Sequence, residues 1–244
     1  MKAVIFSGTT EGRTLSRAVA ALGADVTVCV ATDLGAEEQG CAPGITVRAG
    51  RLDAGEMAAL LQGAALCVDA THPYATEATR NIRAAATAAG VAYHRLLRPA
   101  SALPAGSVVL ETAAQAAAYL AAKPGNVLLA TGAKELPAFA ALDPARLYPR
   151  VLPTLAGITA CEAAGIPHRN IIAMQGPFTL ELNVALLRQF AIAAMVTKDG
   201  GAAGGFAEKA EAAARCGVQL IVLRRPEEQG ENAETILQRC RELL

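Results

Sequence analysis

His72 and Tyr74 stand two residues apart in DATHPYATEATRN (69–81), directly after an apolar run. Imidazole and phenol can hand a proton to a reacting carbon or polarise an acceptor. His72 precedes Pro73, which pushes it toward an extended backbone at the mouth of a strand. Lys198, a third candidate acid, and Asp199 open the glycine-dense stretch TKDGGAAGGF (197–206), which also holds Gly204 and Gly205. Glycine at that density forfeits order unless a ligand needs close backbone approach or movement. ATGAKEL (130–136) contributes Lys134 and MQGPF (174–178) contributes Gln175, each just past an apolar run. Lys134, Gln175, Asp199, Gly204 and Gly205 are the expected substrate-lining residues.

At the other end of the chain, FSGTTEGRTL (6–15) follows MKAVI. Gly8 ends the first apolar run and Gly12 falls in the first helical turn. Such a turn lets backbone approach a pyrophosphate, and the helix start adds unpaired N–H groups and partial positive charge. Thr9 and Thr10 bring hydroxyls, with Glu11 and Arg13 beside them. The pattern is G-x-x-x-G rather than the full G-x-G-x-x-G, so the turn by itself also fits a plain strand-to-helix corner. The second strand ends in Val30, Ala31 and Thr32, with Asp33 just beyond and no carboxylate at the tip to hold ribose hydroxyls. Arg13 sits near by. Arg51, in AGRLD (49–53), follows the third strand where an adenine rests in such folds. Thr71 joins this cofactor side. These features favour NADPH, with NADH possible.

These residues need a scaffold. Short apolar runs alternate with Ala-rich helical stretches along all 244 residues. Strands are expected at 2–8, 25–31, 45–50, 65–71 and 91–97, with helices at 10–22, from Asp53 to about Gln62, and at 75–89. RPASALPAGS (98–107) reads as a linker. Further strands are expected at 107–111, 126–132, 146–152, 170–176, 193–199 and 218–225, and a last helix at about 233–244. Near-continuous apolar strands, each followed by a helix, describe parallel sheets covered on both faces. The fold class is therefore α/β, with two Rossmann-like, doubly wound parallel-sheet domains and a cleft between them. Residues 1–100 would bind NAD(P)H and residues 101–244 would supply the second ligand site. Ligands in such sheets bind beyond the carboxyl ends of strands, where every cluster above lies.

Composition narrows the function. Formal net charge is zero and aromatics are 4% with no Trp. Neither an anionic membrane nor single-stranded nucleic acid is the expected partner. Arg far outnumbers Lys, which suits a polyanionic substrate and equally a genome biased toward Ala and Arg codons. The six cysteines form no C-x-x-C pair, so reduced thiols in a cytoplasmic protein are expected rather than a metal site or disulfides. No signal peptide or membrane span is visible.

Taken in order, GTTEGR (8–13), GRLD (50–53), DATHPYA (69–75), TG-x-KE (131–135), MQGPF (174–178) and the TKD…GGF stretch (197–206) resemble the precorrin-6A and cobalt-precorrin-6A reductase family of corrin biosynthesis. The motifs span nearly the whole chain. The resemblance implies hydride transfer from a reduced nicotinamide to the precorrin-6A or cobalt-precorrin-6A macrocycle, with a proton added at the neighbouring carbon. It implies that Thr9, Thr10, Glu11, Gly12 and Arg13 cradle the cofactor, and that His72, Tyr74, Lys134, Gln175, Lys198 and Asp199 line the macrocycle side. Two other readings stay open. One is a different NAD(P)-dependent reductase or epimerase; the epimerase Tyr-x-x-x-Lys pair is missing, since Ala78 stands four residues after Tyr74. The other is a non-catalytic NADP(H)-sensing regulator.

Overall fold

The computed structural model describes residues 1–97, 101–201 and 204–244. The first residues of the expected linker, and 202–203 of the glycine-dense stretch, lie outside them. The chain forms two compact units, Met1–Arg98 with Pro226–Leu244, and Pro99–Arg225.

In the first unit, β1 (Lys2–Phe6), β2 (Asp25–Val30), β3 (Ile45–Ala49), β4 (Leu66–Asp69) and β5 (Tyr93–Arg95) form one parallel sheet in the order β3-β2-β1-β4-β5. Side chains alternate across β1. Ala3 and Ile5 join Val26, Val28, Leu66 and Val68 on one face, under Leu15 and Val19 of α1 (Thr10–Ala21). Val4 and Phe6 join Cys67 on the other, under α3 (Ala54–Leu61) and α4 (Thr76–Ala89). Asp53 caps α3 in a reciprocal capping box with Glu56. A short helix, α2 (Asp33–Gln39), fills the β2–β3 connection that the sequence reading left without an element.

The last helix, α9 (Ala233–Leu243), corrects the expected domain assignment. Ile236 and Cys240, four residues apart on one face, are fully buried in the first sheet's core beside Val19 and Val26. Backbone bonds Leu97 N to Glu231 O and Glu231 N to Arg95 O extend the edge at β5. An amphipathic stripe announces a buried face but not which sheet buries it. Residues 226–244 therefore leave the second unit and complete the first.

In the second unit, β6 (Val108–Leu110), β7 (Asn126–Ala130), β8 (Leu147–Val151), β9 (Ile172–Ala173), β10 (Ile192–Lys198) and β11 (Gln219–Leu223) run parallel in the order β6-β11-β10-β7-β8-β9. One face packs under α5 (Ala113–Ala121), α6 (Leu155–Ala163) and a 3₁₀ segment (Ala133–Phe139), through Leu120, Phe139 and Cys161. The other packs under α7 (Leu180–Gln189) and α8 (Phe206–Cys216), through Leu187, Phe206 and Ala213. Lys134 and Glu135 thus open a 3₁₀ segment, and the strand expected over 170–176 shrinks to two residues.

Candidate active site

Strand order places two crevices. In the first unit the chain leaves β1 for β2 and β3, then returns to the other side for β4 and β5. The switch lies between β1 and β4. In the second unit β7 to β9 run one way, while β10 and β11 lie on the other side of β7. The switch there lies between β7 and β10. Open parallel sheets bind ligands at such points, beyond the strands' carboxyl ends.

At the first switch, Ser7 to Thr10 turn sharply from β1 into α1. Gly8 has φ of +120°, which L side chains rarely adopt, and nothing lies within 4 Å of where its Cβ would stand. Gly12 is the opposite case. A Cβ there would sit 2.4 Å from Ser7 Oγ and 2.9 Å from Ala70 Cβ, so glycine alone lets α1 start against the strand ends. Thr9 is the N-cap. Its hydroxyl accepts from Gly12 N at 3.0 Å and donates to Ala70 O at 2.8 Å, tying the turn to β4's exit. That hydroxyl is therefore committed to scaffold, and only the main chain at Thr9 remains for a ligand. Thr10 is exposed at the first turn of α1, and Glu11 stands beside it. The Ser7 hydroxyl is buried and has no hydrogen-bond partner among the described residues. A tight glycine turn, an open surface above Gly8, a helix start and an orphaned buried hydroxyl together fit a pyrophosphate.

The outer residues expected beside the cofactor are mixed. Thr32 caps α2, accepting from Gly35 N at 3.1 Å, and its exposed hydroxyl keeps its proton to donate. Arg13 donates to Glu38 O at 2.7 Å. Arg51 is exposed beyond β3.

Beyond β4, the 71–74 turn rests on a buried charge network that the sequence reading missed. Asp69 and Arg95 are 0% and 3% exposed. Arg95 Nη1 donates to Asp69 Oδ1 at 2.8 Å, to Thr71 O at 3.0 Å and to Asp69 O at 3.2 Å. Its Nε and Nη2 both reach Glu228 Oε2, at 3.1 and 2.9 Å. Tyr93 donates to Asp69 Oδ2 at 3.0 Å, and desolvation with the Asp69 charge raises its phenol above the ordinary range. Thr71 donates through both its N–H and its hydroxyl to Asp69 Oδ1, so its hydroxyl serves the turn rather than a ligand. His72 and Tyr74 then project from the fixed turn as partly buried rings 5.5 Å apart. His72 Nδ1 accepts from Tyr74 N at 3.3 Å, which leaves Nε2 as the proton-bearing nitrogen of the neutral ring.

At the second switch, Lys198 Nζ meets Glu135 Oε1 at 2.7 Å, bridging the ends of β10 and β7. Thr131 Oγ1 is buried there without a partner among the described residues, in the position that Ser7 holds in the first unit. Asp199 is buried, and its carboxylate accepts from Ser101 N and Gly201 N, both at 3.0 Å. That carboxylate organises the glycine stretch instead of lining an open surface. Gly205 has φ of +62° and starts α8 against Pro177, while Gly204 is partly buried. Lys134 and Gln175 are exposed. At the ends of β8 and β9, Leu152, Leu155 and Met174 are exposed apolar side chains.

A family model described as precorrin-6x reductase CbiJ/CobK matches residues 2–241. The chain belongs to this family. A cobalt-precorrin-6A reductase of Priestia megaterium is 37% identical over 91% of this chain and 90% of the relative. One from Salmonella typhimurium is 35% identical over 91% of this chain and 87% of the relative, and a precorrin-6A reductase of Rhodobacter capsulatus 30% over 91% and 87%. The solved structure titled CobK precorrin-6A reductase has a TM-score of 0.81 at 25% identity, covering 99% of this chain and 97% of that one. Family membership makes the chain an oxidoreductase of cobalamin biosynthesis that uses a nicotinamide cofactor. The two Rossmann-like parallel sheets read from the sequence are those of the family fold. Among the described residues no group of side chains is arranged to hold a metal, and no helix is long and apolar enough to cross a membrane. Ser7, Asp69, Arg95, Glu228 and Thr131 escaped the sequence reading. The signal for the pair Asp69 and Arg95 was present: a carboxylate and a guanidinium inside otherwise apolar strands need each other.

Proposed function

We propose that this protein reduces cobalt-precorrin-6A with NADPH. The β1–α1 turn carries the cofactor half of this reading: glycine is required at position 12 and a buried hydroxyl waits at Ser7. The bound nicotinamide would supply the hydride. Main-chain N–H groups at Gly8 to Thr10 and the α1 start would hold its pyrophosphate. The absence of a carboxylate at the tip of β2, with Arg13 and Arg51 near by, supports NADPH over NADH. The network around Arg95 fixes the 71–74 turn, so His72 and Tyr74 meet substrate in one orientation. His72 Nε2 is the proton donor to the carbon beside the one reduced, with Tyr74 its partner. Lys198, already paired with Glu135, contributes charge at the second switch rather than the proton. Leu152, Leu155 and Met174 offer an apolar surface to a flat macrocycle face. The relatives of higher identity carry the cobalt name, which supports that form over the metal-free one. The free thiols suit a reducing cytoplasm.

Anaerobic incubation with NADPH and each form of precorrin-6A tests the reading. Loss of reduced-nicotinamide absorbance with a gain of two hydrogens in the macrocycle is expected, faster with cobalt present. His72→Ala should cut turnover about 100-fold while leaving NADPH affinity unchanged. Bound NADPH with no mass change in either macrocycle would return the chain to the sensor reading.

A further inference from the structure

Arg150 and Lys209 are both 8% exposed, in the second unit. Arg150 lies at the end of β8. Among the described residues its guanidinium makes one hydrogen bond, Nη1 to Asn183 Oδ1 at 2.8 Å, and it lies 4.2 Å from the centre of the Phe178 ring. Asn183 is itself fixed, since its amide nitrogen donates to Phe178 O and Thr179 O. Lys209 is on the first turns of α8, and its ammonium has no hydrogen bond and no ion pair among the described residues. Desolvation and the Arg150 charge lower it to about 8. The surrounding carboxylates do not complete the pair. Asp199 and Glu208 raise the ammonium through space, but neither is ion-paired with it; Asp199 accepts backbone N–H groups of Ser101 and Gly201, and Glu208 Oε2 is buried without a hydrogen-bond partner among the described residues. Burying a cation without a counter-ion costs several kcal/mol. Buried, perturbed cations with no contacting counter-ion cluster at functional sites, where a ligand can supply one.

We infer that Arg150 and Lys209 form an anion subsite that takes one carboxylate of the substrate macrocycle, held by the unused donors of the Arg150 fork and by the Lys209 ammonium. The choice of macrocycle rests on the reductase reading above. Phe178 and Asn183 act as positioning residues, because they hold the guanidinium flat and aimed. Two helix starts face the same end of the sheet, α7 behind Thr179 and α8 behind Gly205, and Gly205 provides no side-chain cap. Their dipoles favour negative charge there.

The test uses the full chain with Arg150→Gln and Lys209→Met. Titration with cobalt-precorrin-6A in the absence of NADPH should show each variant binding about 10- to 100-fold more weakly. NADPH affinity should be unchanged, and Lys209→Met should melt no lower than the parent, because it removes one of two like buried charges. Parent-like macrocycle binding in both variants would overturn the subsite, while turnover by the parent protein would leave the reductase reading standing. A large fall in melting temperature together with lost NADPH binding would also overturn it, by making Lys209 structural. If the parent protein neither binds nor reduces the macrocycle, the reductase reading fails, and succinate decides the subsite. A rise in the parent's melting temperature beyond that in chloride of equal ionic strength, absent in Lys209→Met, supports the anion site. An equal rise in both removes it.

Discussion

Arg95 and Arg150 are buried arginines at the carboxyl end of a strand, one in each unit, and their surroundings are opposite. Arg95 spends its donors on Asp69, Glu228 and Thr71, and both carboxylates lie in direct ion pairs with it. Arg150 has an amide oxygen and an aromatic face, and its charge acts on another cation, Lys209, lowering it. Geometry alone would class both as buried charges at a functional edge. Hydrogen-bond accounting separates them. A charge whose donors are filled by the protein holds the scaffold in one arrangement, and a charge whose donors are unfilled is prepared for something else.

The contrast breaks first at Arg95. Arg95→Met leaves Asp69 buried and Glu228 half-buried without their cation, and removing one partner of such a network costs about 3–5 kcal/mol. Urea unfolding should show a loss of that size for the first unit. Adding Asp69→Asn should recover part of it, since the stranded carboxylate is then neutral. A loss below about 1 kcal/mol would mean that the network is not a scaffold and the contrast with Arg150 fails.

Lys209 sharpens it in the other direction. Its ammonium is lowered from 10.5 to about 8 in the folded protein, first by desolvation and then by Arg150, against the raising influence of Glu208 and Asp199. Below about pH 8 the folded state carries the whole penalty of the buried charge. Between about 8 and 10.5 the unfolded chain holds a proton that the folded state has lost, so stability rises with pH. The full gain is about 3 kcal/mol as an upper bound. Relative to Lys209→Met, the parent protein should therefore gain stability on going from pH 7 to 10. A difference that stays flat, or that falls, would show that Lys209 has a counter-ion after all.

How far these features could be read from sequence follows the same division. The sheets were legible because KAVIF, DVTVCV and IAAMVTK are apolar on both faces, which only a covered parallel strand requires. The tight β1–α1 turn was legible because Gly12 is a steric necessity written into one residue. Thr9, Thr32 and Thr71 are expected beside the cofactor, and in the fold their hydroxyls accept cap hydrogen bonds or donate to Asp69. A hydroxyl near a helix start suits capping and ligand binding equally, and only the position of the nearest N–H decides. Lys209 sits inside AEKAEAAARC, where a charged residue reads as a solvated helix face. Nothing local reports that this face turns inward. The return of α9 to the first sheet was invisible for a similar reason, because which of two cores buries Ile236 is a long-range fact.

The smallest expected effect asks the same question of neutral groups. Ser7 Oγ and Thr131 Oγ1 each follow the strand beside a switch, and each is buried without a partner among the described residues. A buried hydroxyl left unpaired costs about 1–3 kcal/mol. Removing it should leave the free protein as stable or slightly more so, while a ligand that bonds to it loses a few-fold to about 10-fold in affinity. Ser7→Ala should weaken NADPH and spare macrocycle binding. Thr131→Val, which keeps the side-chain shape, should do the reverse. Calorimetric titration with each ligand and thermal melts without ligand read all four outcomes. A lower melting temperature in either variant would mean that its hydroxyl is satisfied in the free protein. It would then belong with Arg95 as scaffold rather than with Arg150 as a group held ready.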